Sequence, residues 1–376
     1  MNPPKRQKRV PPSSSTASRN LPRWVVFSPS ELSLSGAGSP PTFLGLLWLV
    51  PAVLLAGAAY YYSNEVEALN ASNFEPFFVA DLPGKGKGLV AARDIQQGEL
   101  LISESPLFTV PKSISGSPAA LIAQLLQTVG PADRDAFFNL SYVHFPEGLD
   151  PEKHPDEVAL AIFQTNAVAA GGDVGIFPRM ARLNHGCSSA FNAVYSWRQR
   201  EGALLVHALK NILRGQELLT TYTDTKRIRK ERRSFLSQQY GFRCTCAVCS
   251  LGGAQSQSSD KRLTAISQYY GHFATWGSGR IDGVEAITTI NKIWKLEDEE
   301  GYWSERGRLA ADAAWIAVSH SDASAARLWA QLAIKWYTFE LGADSDLVME
   351  MQNTAVHPEQ HPAWGSRELL TVGPPD

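Results

Sequence analysis

The sequence has few sulfur-containing residues and almost no net charge. Its 376 residues include only four cysteines and four methionines, and 35 basic side chains face 37 acidic ones. A net charge of −2 excludes a strongly basic nucleic-acid binder, as judged from bulk charge. Hydrophobic residues make up 44% of the chain, which predicts a folded core. We therefore expect a monomer of two or three domains that does not bind nucleic acid directly.

The few charges are unevenly distributed along the chain. Residues 1–41 contain six basic residues and one acid, and they are rich in proline and serine, which predicts a basic disordered tail. The run from Lys5 to Arg9 fits a nuclear-import patch, a solvated basic tail or part of a mitochondrial transit peptide. The rest of the chain is mildly acidic, which suits a basic protein partner.

Charge is missing altogether from residues 43–62, where none of the twenty side chains is charged at neutral pH. A helix of this length spans the hydrocarbon core of a bilayer, so the segment predicts a transmembrane anchor. The alternatives are an apolar segment packed on the protein's own surface and a wrongly assigned chain start. The chain is accordingly expected at a membrane with its body facing the cytosol, or in the nucleus or cytoplasm if this segment does not span.

The four cysteines are too few and too crowded for a disulfide framework. Three of them lie in the run Cys244-Thr245-Cys246-Ala247-Val248-Cys249, and Cys187 lies 57 residues before the first. Four thiolates complete a tetrahedral structural zinc site, and the C-x-C-x-x-C spacing is typical of one. The alternative is four free thiols in a reducing compartment.

The remaining pattern predicts a β-rich region followed by helices. Short β-like runs broken by glycine, proline and aspartate begin near Phe74, with helical periodicity over 119–145 and 156–169. Residues 252–260 are typical of a linker, and 262–345 predict packed helices. This helical lobe either binds partners as a repeat-type module or supports the first domain. Residues 346–376 are predicted to be a tail.

Four short motifs follow one another along the chain in a meaningful order. Each is weak alone: the glycine-rich run fits a surface turn, and a single histidine or tyrosine fits an ordinary core position. The motifs are Gly84-Lys85-Gly86-Lys87-Gly88-Leu89, Arg182-Leu183-Asn184-His185-Gly186-Cys187, Gly215-Gln216-Glu217-Leu218-Leu219-Thr220-Thr221-Tyr222, and Tyr240-Gly241-Phe242-Arg243-Cys244.

Together these motifs resemble the SET-domain protein lysine methyltransferases, especially the SET-and-MYND branch and its fungal relatives. The resemblance implies an α+β fold with a SET-type β-rich core and a knot-like crossing over 74–224. It also implies an insert at 111–157, a zinc-bound post-SET segment at 240–250 and the α-helical C-terminal lobe. The MYND zinc module is missing, because the insert contains no cysteine.

The resemblance also implies a role for each matching residue. S-adenosylmethionine is the expected cofactor and a protein lysine the expected substrate, in a histone or another protein. Tyr222 and Tyr240 match the transfer-site and lysine-channel tyrosines. The expected cofactor contacts are Lys85, Gly86, Lys87, Asn166, Asn184, His185, Tyr222 and Phe242. The expected ligands of one structural zinc are Cys187, Cys244, Cys246 and Cys249.

Two motifs depart from the family pattern, and the milder change is Gly215-Gln216-Glu217-Leu218 for the usual Gly-Glu-Glu-Leu. The usual Asn-His-Ser-Cys-x-Pro-Asn is here Asn184-His185-Gly186-Cys187-Ser188-Ser189-Ala190-Phe191-Asn192, with glycine for serine and no proline. This change leaves open an alternative function, a non-catalytic zinc-stabilised adaptor that recruits partners through the helical lobe. The intact Tyr222 and Phe242 favour the enzyme.

Overall fold

The structure, a computed structural model, describes residues 75–376 except Ser115. The predicted basic tail at 1–41 and the predicted membrane anchor at 43–62 lie outside these residues. Within the described part, none of the helices combines the length and the apolar character that crossing a bilayer requires.

Ten strands of the described part form three small sheets. Their spatial orders are β1-β2-β10-β7, β3-β9-β8 and β4-β6-β5. The strands are β1 Phe77–Leu82, β2 Gly86–Ala91, β3 Leu100–Glu104, β4 Thr109–Pro111, β5 Val168–Ala170, β6 Asp173–Gly175, β7 Asn184–His185, β8 Ala193–Arg198, β9 Ala203–Ala208 and β10 Glu217–Thr220. β7 and β10 pair in parallel, which places the Asn184-His185 motif beside the strand that leads to Tyr222.

Three helices lie in and after the segment predicted as an insert. They are α1 Pro118–Thr128, α2 Pro131–Phe138 and α3 Pro155–Asn166. The continuous helical periodicity predicted over 119–145 is wrong, because Pro131 starts a new helix and residues after Asn139 are irregular. The irregular stretch crosses towards the motif residues, as described below.

A fourth helix, α4 (Arg229–Tyr240), ends at Gly241 in the left-handed conformation and leads into the cysteine segment. Five further helices form the helical lobe. They are α5 Gly253–Phe273, α6 Gly283–Glu300, α7 Arg306–Ser319, α8 Ala323–Leu341 and α9 Asp346–Val356. Trp329 of α8 is fully buried in their shared apolar core, where alanines of α7 and α8 allow close helix packing.

The lobe is larger than its sequence pattern predicts at both ends. The predicted linker at 252–260 belongs to α5, because Ser256 and Ser259 face inward and are buried. The predicted tail at 346–376 is also incorrect. It contains α9, and Val372 lies in the lobe core while Trp329 Nε1 donates to the Gly373 carbonyl at 3.1 Å.

Candidate active site and metal centre

All four cysteine sulfurs meet at one point, as the sequence predicts. Cys187 Sγ lies 3.8 Å from Cys244 Sγ and 3.6 Å from Cys249 Sγ, and all four sulfurs lie within 4.8 Å of one another. Zinc–sulfur bonds of about 2.3 Å in a tetrahedron separate the sulfurs by about 3.8 Å. The cluster is buried and its spacing fits one zinc ion.

Two arginines of α4 lie against this cluster. Arg232 is 1% exposed, and Arg233 Nη2 donates to the Cys249 carbonyl at 2.8 Å. Burial acts to lower the pKa of the Arg232 guanidinium, but Cys187 and Cys249 raise it and the net shift is upward. A zinc ion with four thiolates has an excess negative charge that a buried guanidinium can balance.

His185 links the cysteine cluster to the candidate transfer site. Its Nδ1 accepts from the Tyr222 backbone N–H at 3.0 Å, and its Nε2 lies 3.0 Å from Cys187 Sγ. Because Nδ1 is an acceptor, the ring proton is on Nε2 and points at the sulfur. Burial lowers the pKa of His185 to about 4, so the ring is neutral at pH 7.

A group of aromatic side chains surrounds Tyr222. Its ring centroid lies 4.9 Å from that of Tyr240, and its hydroxyl donates to the Leu183 carbonyl at 2.6 Å. Phe242 lies 6.3 Å from His185 between ring centroids. Desolvation raises the pKa of Tyr222 well above that of a free phenol, and Tyr240 raises it further. The group therefore presents neutral hydroxyls and aromatic faces.

The sequence analysis missed Tyr195, whose phenol lies close enough to Tyr222 and Tyr240 to interact with them electrostatically. It lies on β8, and desolvation raises the pKa of its phenol, followed by the effect of Tyr240. Tyr195 is 38% exposed, so it forms the side of the group that faces solvent. Its sequence context is that of an ordinary strand tyrosine and contains no signal of a site.

The glycine-rich turn joins the Asn184 motif through a carboxylate. Lys85 and Glu217 form an ion pair, and Asn184 Nδ2 donates to Glu217 Oε1 at 2.9 Å. Gly86 lies in the turn with φ +71°, a conformation that favours glycine. Lys87 Nζ donates to Asn139 Oδ1 at 3.2 Å. Glu217 is thus a further site residue that the sequence analysis did not select.

Asn166 contacts the irregular stretch that follows α2. Its Nδ2 donates to the Ser141 carbonyl at 2.8 Å, while Arg182 Nη2 donates to the Asn139 carbonyl at 3.0 Å. His144 Nε2 lies 3.0 Å from the Gln239 carbonyl, next to Tyr240. The stretch therefore ties the glycine-rich turn and α3 to the end of α4, and no motif in the sequence predicted this.

The unusual motif around Cys187 has a steric explanation. A Cβ at Gly186 would lie 2.8 Å from the Phe191 nitrogen, so serine, the usual family residue, does not fit this backbone. Ala190 N donates to the Cys187 carbonyl, which closes a tight turn directly after the cysteine. The motif is therefore remodelled while His185 and Cys187 keep their contacts.

Comparison with known families finds one match, which covers the part of the chain that contains most of the site. Residues 86–223 match the model of the SET domain family. This range contains most of the glycine-rich run, the Asn184-His185 strand and Tyr222, and the fold brings these together. The match confirms the predicted resemblance to SET-domain proteins over these residues.

The chain is also similar to particular members of this class. It is 28% identical to "Histone-lysine N-methyltransferase set5" of Schizosaccharomyces pombe, over 78% of this chain and 88% of that protein. It is 36% identical to "Histone-lysine N-methyltransferase SMYD3" of Mus musculus, but over only 33% of this chain and 26% of that protein. Among solved structures, "Structure of Rubisco LSMT bound to AdoMet" matches with 10% identity and a TM-score of 0.33, covering 78% of this chain and 90% of that one.

Proposed function

We propose that this protein transfers a methyl group from S-adenosylmethionine to a lysine of a histone or another protein. The observation that supports this best is the meeting of Tyr222, Tyr240 and Phe242 beside a four-cysteine cluster. Tyr222 comes from a different segment than Tyr240 and Phe242, and the fold brings the two segments together. S-adenosylmethionine supplies an activated methyl group, so the protein mainly has to align donor and acceptor.

The acceptor amine has to be neutral before it can react. A free lysine has a pKa near 10.4, so neutralising it near pH 7.4 costs about 4 kcal/mol. The aromatic group formed by Tyr195, Tyr222 and Tyr240 desolvates the amine, which lowers its pKa. The same rings attract the incoming cation, and their hydroxyls orient the amine lone pair. Correct alignment of the two reactants is worth about 7–11 kcal/mol.

Cofactor binding is assigned to residues around the glycine-rich turn and the zinc segment. Lys85, Gly86, Lys87, Asn166, Asn184 and His185 receive the cofactor, and Phe242 covers its adenine. One zinc ion bound by the four cysteines holds Tyr240 and Phe242 in place. The contacts of Asn166 with Ser141 and of Asn184 with Glu217 support this assignment, because they fix the orientation of both amides.

The substrate is proposed to be a basic protein segment. The acidic balance of the chain outside its basic N-terminus suits such a partner. The relatives whose printed names state a histone-lysine activity make a histone the first substrate to test. We propose a monomer in the nucleus or cytoplasm. A membrane-bound form would depend on residues 43–62.

Tyr222→Phe tests the proposal directly. The substitution keeps the ring and removes one buried hydroxyl, so cofactor binding should remain while methyl transfer slows. Loss of one such hydrogen bond should raise the barrier by about 1–3 kcal/mol, or roughly 5- to 150-fold in rate. Transfer is measured with labelled cofactor on histones and on a mixture of cellular proteins, and cofactor binding by calorimetry.

Phe242→Ala is the matched control, because it should weaken cofactor binding first. A Tyr222→Phe protein that turns over at the wild-type rate on a confirmed substrate would remove Tyr222 from the mechanism. Wild-type protein that neither binds cofactor nor transfers methyl groups would contradict the proposal as a whole and favour the adaptor.

A further inference from the structure

We propose that Glu217 is a positioning residue for binding of the cofactor's amino-acid end. Asn184 then binds the ammonium group of that end, and Lys87 binds its carboxylate. In this arrangement Glu217 holds the Asn184 side chain as a hydrogen-bond acceptor and neutralises Lys85. The inference rests on the proposed function and gives a role to a motif residue to which the resemblance assigned none.

Glu217 occupies a crowded position between the glycine-rich turn and the Asn184 strand. Its Oε1 accepts from Asn184 Nδ2 at 2.9 Å, its Oε2 is paired with Lys85, and its side chain is 15% exposed. A Cβ at residue 88 would lie 2.6 Å from Asn184 Nδ2 and 3.2 Å from Glu217 Oε1. Gly88 therefore leaves the space in which the two side chains meet.

The neighbours of Asn184 determine which way its amide points. Asn184 Nδ2 faces two acceptors, the Glu217 carboxylate and the Lys87 carbonyl, the latter at 3.4 Å. A flipped amide would place an oxygen against both of them, which is unfavourable. Asn184 Oδ1 consequently faces away from Glu217 as an acceptor. A fixed acceptor suits the ammonium group of an amino acid.

The two lysines of the turn are not equivalent. Lys85 already faces a carboxylate, so much of its charge is compensated. Lys87 Nζ contacts the neutral side-chain oxygen of Asn139, and within the described residues it is in no ion pair. A ligand carboxylate near this turn therefore gains more from Lys87 than from Lys85.

Binding of the amino-acid end can be distinguished from binding of the nucleoside part by comparing two ligands. S-adenosylhomocysteine has the amino-acid end, and 5′-methylthioadenosine lacks it. We expect Lys87→Met to weaken S-adenosylhomocysteine binding about 10-fold or more and Lys85→Met about 3-fold or less. When Glu217→Gln is added to Lys85→Met, S-adenosylhomocysteine binding should weaken by a further factor of about 10 relative to Lys85→Met alone. The reason is that the Asn184 amide is then free to turn.

Binding of 5′-methylthioadenosine, measured in the same calorimetry, should change by less than about 2-fold in every variant. Arg93→Met is the matched control, because it also removes a cation that is paired with a glutamate, here Glu99, but one outside the proposed site. If Glu217→Gln does not fold, Glu217→Asp replaces it, because the shorter carboxylate cannot reach both partners.

Three results would overturn the inference. These are equal losses for Lys85→Met and Lys87→Met, an unchanged affinity after the Glu217 substitution, and a parallel loss for both ligands. The last would indicate a general structural role. Failure of the proposed function is a separate outcome, in which wild-type protein binds neither ligand.

Discussion

The cysteine segment and the helical lobe are stabilised in different ways, although they lie against the same part of the core. The segment from Tyr240 to Ser250 has almost no regular structure, and its buried side chains are mainly sulfur ligands. The helical lobe instead has a continuous apolar core that contains Trp329, which is fully buried. We therefore expect the first to depend on a bound metal, whereas the second depends on hydrophobic packing.

Both regions contact the short stretch that follows His185. The cysteine cluster includes Cys187, while Glu300 of the lobe accepts from Ser188 Oγ at 3.0 Å. Lys210 Nζ donates to the carbonyls of Ser189 and Gly301 and so joins core and lobe again. The stretch next to the candidate transfer site is thus held from two sides. These contacts support a structural role for the lobe in addition to any partner binding.

Removal of zinc should have the largest effect. It should disrupt the cysteine segment and leave the helical lobe folded. We expect one zinc per chain in protein purified under reducing conditions without chelator. Structural zinc contributes about 10–16 kcal/mol in small domains, so a strong chelator or Cys246→Ser should abolish methyl transfer. The helical signal in far-ultraviolet circular dichroism should largely remain, because the lobe has its own core.

Thr245→Ser is the matched control, since Thr245 is exposed between two ligand positions. It should keep both zinc and activity. Metal analysis by mass spectrometry decides the prediction, and full activity in zinc-free protein would contradict it. Complete loss of helical signal with the zinc would show that the two regions are one cooperative unit.

Trp329→Ala should have the next largest effect, on the lobe alone. Trp329 is fully buried, and truncating a buried tryptophan costs about 3–5 kcal/mol. Denaturant unfolding should show this loss, while metal analysis should still find one zinc per chain. Leu328→Ala on the exposed side of the same helix is the control and should change stability little. Loss of zinc in Trp329→Ala would contradict the separation of the two regions.

The elements that could be predicted from sequence are those with a local signal. The hairpin of Ala193–Arg198 and Ala203–Ala208 follows from β-type residues around Gly202, and α8 shows helical periodicity along its whole length. The helix from Gly253 and the packing of Val372 could not be predicted in this way. Their polar or irregular sequences are ordered by contacts with distant residues, and a local pattern contains no information on those.

The same distinction applies to the site. The cysteines and Tyr222 could be selected because they belong to motifs with fixed spacing. Glu217 lies inside a motif, but its importance depends on Lys85 and Asn184, which only the sheet brings beside it. Asn139 and Ser141 act through an irregular stretch whose course depends on tertiary contacts. Residues of this kind are visible only after folding.

The smallest predicted effect concerns the pH dependence of the lobe. Burial raises the pKa of Glu340 from 4.5 to about 8, the nearby charge of Glu305 adds to this, and backbone N–H groups of Gly307 and Arg306 oppose it. Between these two values the folded chain binds a proton that the unfolded chain does not. Stability should therefore fall as pH rises from about 5 to about 8.

Glu340→Gln tests whether the stability of the lobe and the binding of zinc depend on pH in different ways. The variant should be more stable than wild type at pH 8.5, and the difference should shrink towards pH 5, as measured by denaturant unfolding across this range. Glu299→Gln, on the exposed face of α6, is the control and should follow wild type. Zinc binding has the opposite trend, because acid protonates the thiolates and releases the metal. A Glu340→Gln protein with the wild-type pH dependence would show that this carboxyl is ionised in the folded lobe.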